Sequence, residues 1–220
     1  MNQNPSFRMQ WIKNDADIEQ VTPDNGLLFV ATSLGELFQG DVMVSIGHGE
    51  VTAEYKPGNI MCHVSGFSIT DAIGEWWQTI PVDVHWVGDL NGGYSRKVYV
   101  CNIGGLANVR AGLTIHETRG TWSSWPPHKF EIEALFSPVQ DYDFQERFGY
   151  VTEPSYSWAL QVVNSDKLSP VRVVKDRDIG TIPLSSHPVV AAPGCRLAYF
   201  WAYTGDDVTK MEKFSKSGRV

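Results

Sequence analysis

Hydrophobic positions along this chain come in short bursts rather than in helical stripes. Runs rich in Val, Ile, Phe, Tyr and Trp recur: GLLFVATS (26–33), DVMVSIG (41–47), EVTAEY (50–55), VDVHWVG (82–88), RKVYVCNI (96–103) and VRAGLTIHET (109–118). RFGYVTE (147–153), YSWALQVV (156–163), VRVVKD (171–176) and CRLAYFWAY (195–203) continue the series. Gly, Pro, Asn or Asp bounds nearly every run, so the pattern predicts an all-β sandwich or barrel. The best helix candidate is SITDAIGEWWQTI (68–80), where Thr70 and Asp71 offer caps and Gly74 weakens the interior. One or two helical turns are expected there.

Turn residues cluster in GDLNGGYS (88–95), between two strand-rich halves, and suggest a seam. The expected division is 1–88, 89–205 and a polar tail, 206–220. Near the end, DRDIGTIP (176–183) reads as a tight turn and a strand closed by its proline. His187-Pro188, a second turn at APG (192–194) and a final aromatic strand follow.

Composition narrows the function classes. The chain has 220 residues, 42% of them hydrophobic, enough for one large β domain or two small ones. A net charge of −7 and the lack of any Lys/Arg run argue against nucleic-acid and anionic-membrane partners. MNQNPSFRMQW (1–11) has no apolar core of a secretory signal, and no stretch reaches the roughly 20 apolar residues that cross a bilayer. Cys62, Cys101 and Cys195 make neither a disulfide framework nor a metal knuckle, and read as buried small hydrophobes in a cytoplasmic protein.

Candidate chemistry centres on the histidines. His48 reads as an exposed turn residue; His63, His85 and His116 lack nearby ligand partners and read as structural. His128, in TWSSWPPHKFEIE (121–133), and His187 differ, since each sits beside proline where a turn meets a strand. Between them lies Glu146, in DFQERFGYV. Two imidazoles and a carboxylate inside a barrel make a 2-His-1-carboxylate set that leaves positions open on Zn, Mn or Fe. Pro126 and Pro127 would fix the angle at which His128 enters. The Ser pair before Pro-Pro-His is no nucleophile elbow, GHGEVT is no phosphate loop, and the tryptophans read mainly as packing.

Four phrases together resemble the 5-deoxy-glucuronate isomerase family of inositol catabolism, itself related to the 4-deoxy-5-hexosulose-uronate ketol-isomerases: GGYSRKVYVCNI, WSSWPPHKFE, QERFGYV with SWALQVV, and SHPVVAAPGCRLAYFWAYTG. They cover roughly residues 89–205. The resemblance implies a cupin (jelly-roll β-barrel), complete in the C-terminal part, with a reduced N-terminal cupin-like β domain. It implies a divalent metal held by His128, Glu146 and His187, with Arg96, Lys129, Gln161 and Tyr199 lining the cavity or supporting the ligands. The implied reaction is aldose–ketose isomerisation of a sugar acid. Lys129, Glu131 or Glu133 would serve as the base, and Arg96 or Lys129 would hold the carboxylate. The family's second histidine is Phe130 here, and a late family Asn is Trp201. Those departures keep two other readings open: a cupin that binds sugar or assembles without catalysis, and an iron-dependent oxygenase. Exposed strand edges in the reduced half suggest a homodimer.

Overall fold

The structure, a computed structural model, describes residues 8–20, 26–47, 55–65, 78–79, 82–101, 109–125, 129–130, 145–163, 170–182, 186–204 and 214–215. Strands dominate. In the N-terminal part, β1 (Arg8–Ile12), β2 (Gly26–Ala31), β3 (Met43–Gly47), β4 (Ile60–Ser65) and β5 (Gln78–Thr79) form an open five-stranded sheet in the order β1-β4-β2-β3-β5. Two short helices interrupt it, α1 (Asp15–Gln20) and α2 (Leu34–Gln39). Sequence reading assigns nothing to residues 34–40, which carry a set of helix signals. Ser33 Oγ accepts from the Glu36 amide at 3.1 Å and Glu36 Oε2 accepts from the Thr32 amide at 2.8 Å, a reciprocal cap. Gly40, at φ 90°, ends the helix in the left-handed region that favours glycine.

The second half builds a pair of facing sheets. β6 (Val82–Val87), β7 (Arg96–Cys101), β8 (Val109–His116), β11 (Gln145–Glu153), β14 (Ile179–Ile182) and β16 (Arg196–Thr204) make six strands in the order β14-β11-β16-β8-β7-β6. β9 (Trp122–Ser123), β12 (Trp158–Val162), β13 (Val171–Lys175) and β15 (Val189–Ala191) make four, in the order β13-β12-β15-β9. β10 (Lys129–Phe130) and β17 (Phe214–Ser215) pair separately. The turn at 88–95 joins β6 to β7, which pair from Val82↔Cys101 to Val87↔Arg96, so the expected seam falls inside one sheet. The whole is all-β, with a cupin-type jelly roll in the C-terminal half and a reduced N-terminal sheet laid against it.

The six-stranded sheet is therefore the middle of three layers. Side chains alternate across it with the period of two that a strand imposes. Ala111, Leu113, Ile115, Val151, Ala198, Phe200 and Ala202 face the N-terminal sheet and join Trp11, Leu27, Phe29, Ile60 and Cys62 in one buried cluster. Phe200 is central there, tilted 4.9 Å from Phe29 and edge-on to Trp11 at 5.8 Å. Phe148, Tyr150, Leu197 and Tyr199 face the four-stranded sheet and pack with Ala159, Val174, Val189 and Ala191. The three cysteines are free and buried, and burial pushes the thiols of Cys62 and Cys101 up. The helix expected at 68–80 and His48 lie outside the described residues, apart from Gln78 and Thr79, which are strand. No helix among the described residues is long and apolar enough to cross a membrane.

Candidate functional site

Alternation decides which polar groups enter the space between the six- and four-stranded sheets. On β11, Glu146, Phe148 and Tyr150 share the inner face. On β16, Tyr199, Trp201 and Tyr203 do. Register then sets these residues beside one another, with Glu146 opposite Tyr203 and Tyr150 opposite Tyr199. From the other sheet come Gln161 on β12 and His187, just ahead of β15.

Glu146 and His187 meet. His187 Nε2 lies 3.6 Å from Glu146 Oε2, and both side chains are only 4–5% exposed. Among the described residues Glu146 Oε2 has no hydrogen-bond partner. Burial pushes the Glu146 carboxyl up to about 8. The aromatic neighbours keep the place dry: Phe148 stands edge-on to His187 at 5.6 Å and stacks on Tyr199 at 4.5 Å. A buried carboxylate oxygen left bare is costly in a finished core and is cheap only where something binds.

Gln161 does not touch a substrate space first; it fixes the approach of His187. Its Nε2 donates to the carbonyl oxygens of His187 at 2.8 Å and Pro188 at 3.1 Å, while its Oε1 accepts from the Tyr150 hydroxyl at 2.9 Å. The backbone at His187 is thus tied to the inner face of β11 through one amide. Tyr199 plays a matching part on the other flank. Its hydroxyl bonds Ser123 Oγ at 2.6 Å and approaches Ser124 Oγ at 3.5 Å. Ser124 sits at φ 53°, a left-handed conformation unusual for a residue with a side chain.

Arg96, on β7, is 7% exposed. Its Nη1 donates to the Tyr94 carbonyl at 3.2 Å and the Trp125 carbonyl at 3.5 Å. Among the described residues no carboxylate lies within ion-pair distance of it. Burial pulls its guanidinium down from the ordinary range, with Tyr199 and Tyr94 pulling the other way. The bond to Trp125 also anchors the segment that runs into Pro126-Pro127-His128.

The sequence-predicted set therefore divides. Glu146, His187, Gln161, Tyr199 and Arg96 come together around one interior. His128 and Glu131 lie outside the described residues, as does Glu133, and of Lys129 and Phe130 only the strand pairing is described. Among the described residues no three His, Cys, Asp or Glu side chains converge on one point. Trp201, where the resemblance expects Asn, has its own accommodation: it faces Gly112 across β16 and β8, and a Cβ at that glycine would lie 2.3 Å from the indole Cζ2. Sequence reasoning passed over Phe148, Tyr150 and Ser123, and read His116 as structural. The period of two from Glu146 reaches Phe148 and Tyr150, and His116 is the cross-strand partner of Arg96.

Similarity to known proteins follows the same part of the chain. A 5-deoxy-glucuronate isomerase of Geobacillus kaustophilus is 35% identical over 84 residues, 37% of this chain and 29% of that protein. One from Bacillus velezensis is 25% identical over 101 residues, 45% of this chain and 36% of that protein. The matched stretch thus spans less than a third of the Geobacillus relative. A crystal structure of an IolB-like protein from Salmonella typhimurium LT2 superposes with a TM-score of 0.65 at 19% identity, covering 96% of this chain and 83% of that one. That likeness establishes the shared fold. The sequence pattern of the KduI/IolB family matches residues 89–217, more than half of the chain, and the protein belongs to that family.

Proposed function

We propose that this protein is a divalent-metal-dependent isomerase that interconverts the aldose and ketose forms of a sugar acid of the 5-deoxy-glucuronate type. One observation carries the reading: the bare, buried Glu146 Oε2 at 3.6 Å from His187 Nε2. Two ligand atoms each roughly 2.1 Å from a common ion, the usual distance for nitrogen and oxygen ligands of zinc, can stand that far apart at an open tetrahedral angle. The donor types also fit Zn, Mn or Fe. His128 is the third ligand in this reading, and three protein ligands leave a position free for substrate. The names of the relatives supply the reaction class, and the buried Arg96 supplies a cation for the substrate carboxylate.

A divalent cation held by Glu146, His187 and His128 would supply Lewis acidity for the negative charge that develops on the sugar as the proton moves between adjacent carbons. The chain's own residues do the other work. Arg96, with Nε and Nη2 uncommitted among the described residues, pairs with the substrate carboxylate in the bidentate way its fork permits. Gln161 and Tyr150 hold His187 in place, so that little order remains to be imposed when substrate arrives. Phe148 and Tyr199 exclude water from one wall. Lys129, Glu131 or Glu133 carries the proton between adjacent carbons.

Phe130 favours a second reading, a sugar-acid-binding module without turnover, because it stands where the family pattern has a ligand histidine. Elemental analysis of protein purified without added metal separates the two, run alongside Glu146→Gln and His187→Ala. About one equivalent of metal in the wild type, lost in both variants, with isomerisation of 5-deoxy-glucuronate that follows metal content, is the expected result. Equal metal in all three proteins would overturn the metal-dependent reading, and metal retention without turnover would leave the binding module.

A further inference from the structure

His116 ends β8 on the same inner face as Arg96, its cross-strand partner. It is fully buried. Its hydrogen bonding settles which nitrogen carries the proton. Thr121 Oγ1 donates to the Thr118 carbonyl at 3.0 Å, so that hydroxyl hydrogen is committed. The contact between Thr121 Oγ1 and His116 Nδ1 at 3.3 Å must then run the other way, with Nδ1–H donating. Nε2 is left as an unprotonated acceptor, and among the described residues it has no partner. Burial and the nearby Arg96 keep the ring neutral, holding its pKa down at about 3.

A buried acceptor with nothing to accept costs about 1–3 kcal/mol. The fold surrounds it with other ligand-facing groups. Arg96 has two nitrogens uncommitted among the described residues, the Tyr199 ring stands edge-on at 6.3 Å, and the strained Ser124 brings its hydroxyl to the Tyr199 oxygen. An isolated histidine packed for stability has no need of such company. We propose that His116 Nε2 accepts a hydrogen bond from a hydroxyl of the same molecule whose carboxylate is held by Arg96, so that the pair selects hydroxy acids over plain carboxylates. This inference rests on the sugar-acid reading of the site, and adds to it the residue that reads the hydroxyl.

The role is one of specificity, and binding tests it without metal or turnover. Titration calorimetry with D-glucuronate and with hexanoate, a six-carbon acid without hydroxyls, compares wild type, His116→Phe and Arg96→Leu. His116→Phe should weaken D-glucuronate about tenfold and leave hexanoate unchanged, whereas Arg96→Leu should weaken both. Equal loss for both acids in His116→Phe, or no loss for either, would overturn the assignment. Should His116→Phe not fold, long-range proton–nitrogen NMR on the wild type answers instead. A neutral Nδ1–H tautomer whose Nε2 signal moves on saturation with D-glucuronate but not with hexanoate supports the proposal; an Nε2–H tautomer, or a signal indifferent to both, overturns it. Isomerase turnover with an unselective His116 would sink this inference alone, while selective binding by a protein that never turns over would sink only the isomerase reading.

Discussion

Strand β16 is two surfaces in one. Its even positions Ala198, Phe200 and Ala202 are packed in carbon against the N-terminal sheet. Its odd positions Tyr199, Trp201 and Tyr203 face the interior where Glu146, Gln161 and His187 gather. Consecutive residues thus serve different ends: the even set closes a core, and the odd set carries oxygen atoms and ring edges that a core would avoid. Among the described residues, Glu146 Oε2, Thr152 Oγ1 and His116 Nε2 are buried on the inner face without a hydrogen-bond partner, and Trp11 Nε1 is another such atom on the opposite side. The N-terminal sheet thus acts as a buttress that covers one side of the middle sheet with carbon and leaves the polar interior to the other.

The largest effect should come from the buttress face. Phe200→Ala removes the ring between Phe29 and Trp11, where cavity formation for a large aromatic costs about 3–5 kcal/mol. Urea unfolding should show that loss, while Tyr199→Phe, one residue away, should move the midpoint by only about 1 kcal/mol for its bond to Ser123. Similar losses in the two variants would erase the division between the faces.

Much of this was written in the chain, for reasons that also explain what was not. Strands with one wet or polar face announce themselves, and β6, β7, β8, β12 and β16 fall on the expected runs. β4 did not, because IMCHVS is buried on both faces in the middle of its sheet and shows no alternation. α2 was not expected, although the reciprocal cap formed by Ser33 and Glu36 is a helix signal present in the sequence. At the site, Glu146 and His187 are 41 residues apart in sequence; residue type and Pro-flanked position suggested the pairing, and the family resemblance strengthened it. Tyr150 and His116 carry no motif; their importance comes from cross-strand register, which a linear pattern does not contain.

Acid provides a somewhat smaller lever on the same contrast. His63, on β4 in the buttress sheet, is buried, and burial lowers its pKa from 6.5 to about 4. The folded state therefore prefers the neutral ring. That preference stabilises fully above pH 6.5 and is lost as pH falls toward 4, up to about 3 kcal/mol at 1.36 kcal/mol per unit. Glu146 runs in the opposite direction: its raised pKa stabilises the metal-free fold below about 4.5 and is lost as pH rises through about 8. Urea midpoints from pH 4 to 9 should show His63→Gln flattening the acid limb and Glu146→Gln flattening the alkaline limb. An acid limb unchanged by His63→Gln would mean that the buttress holds no titrating strain.

The smallest change in stability should accompany a large change at the site, and Gln161 is where the two separate. Its amide joins Tyr150 to the carbonyls of His187 and Pro188, so a substitution alters the aim of the imidazole without touching a ligand. Gln161→Glu keeps an oxygen for the Tyr150 hydroxyl but removes the donors to the carbonyls of His187, Pro188 and Val162, of which Pro188 still accepts from the Val162 amide. The stability cost should be about 1–3 kcal/mol. Zinc affinity, measured by competition with a chelating dye, should fall about 10–100-fold, as it does when a group orienting a metal ligand is lost. A purely structural amide would give the first effect without the second. Unchanged zinc affinity would then place His187 under the control of its own strand, and the connection from β12 to the candidate ligand pair would be packing alone.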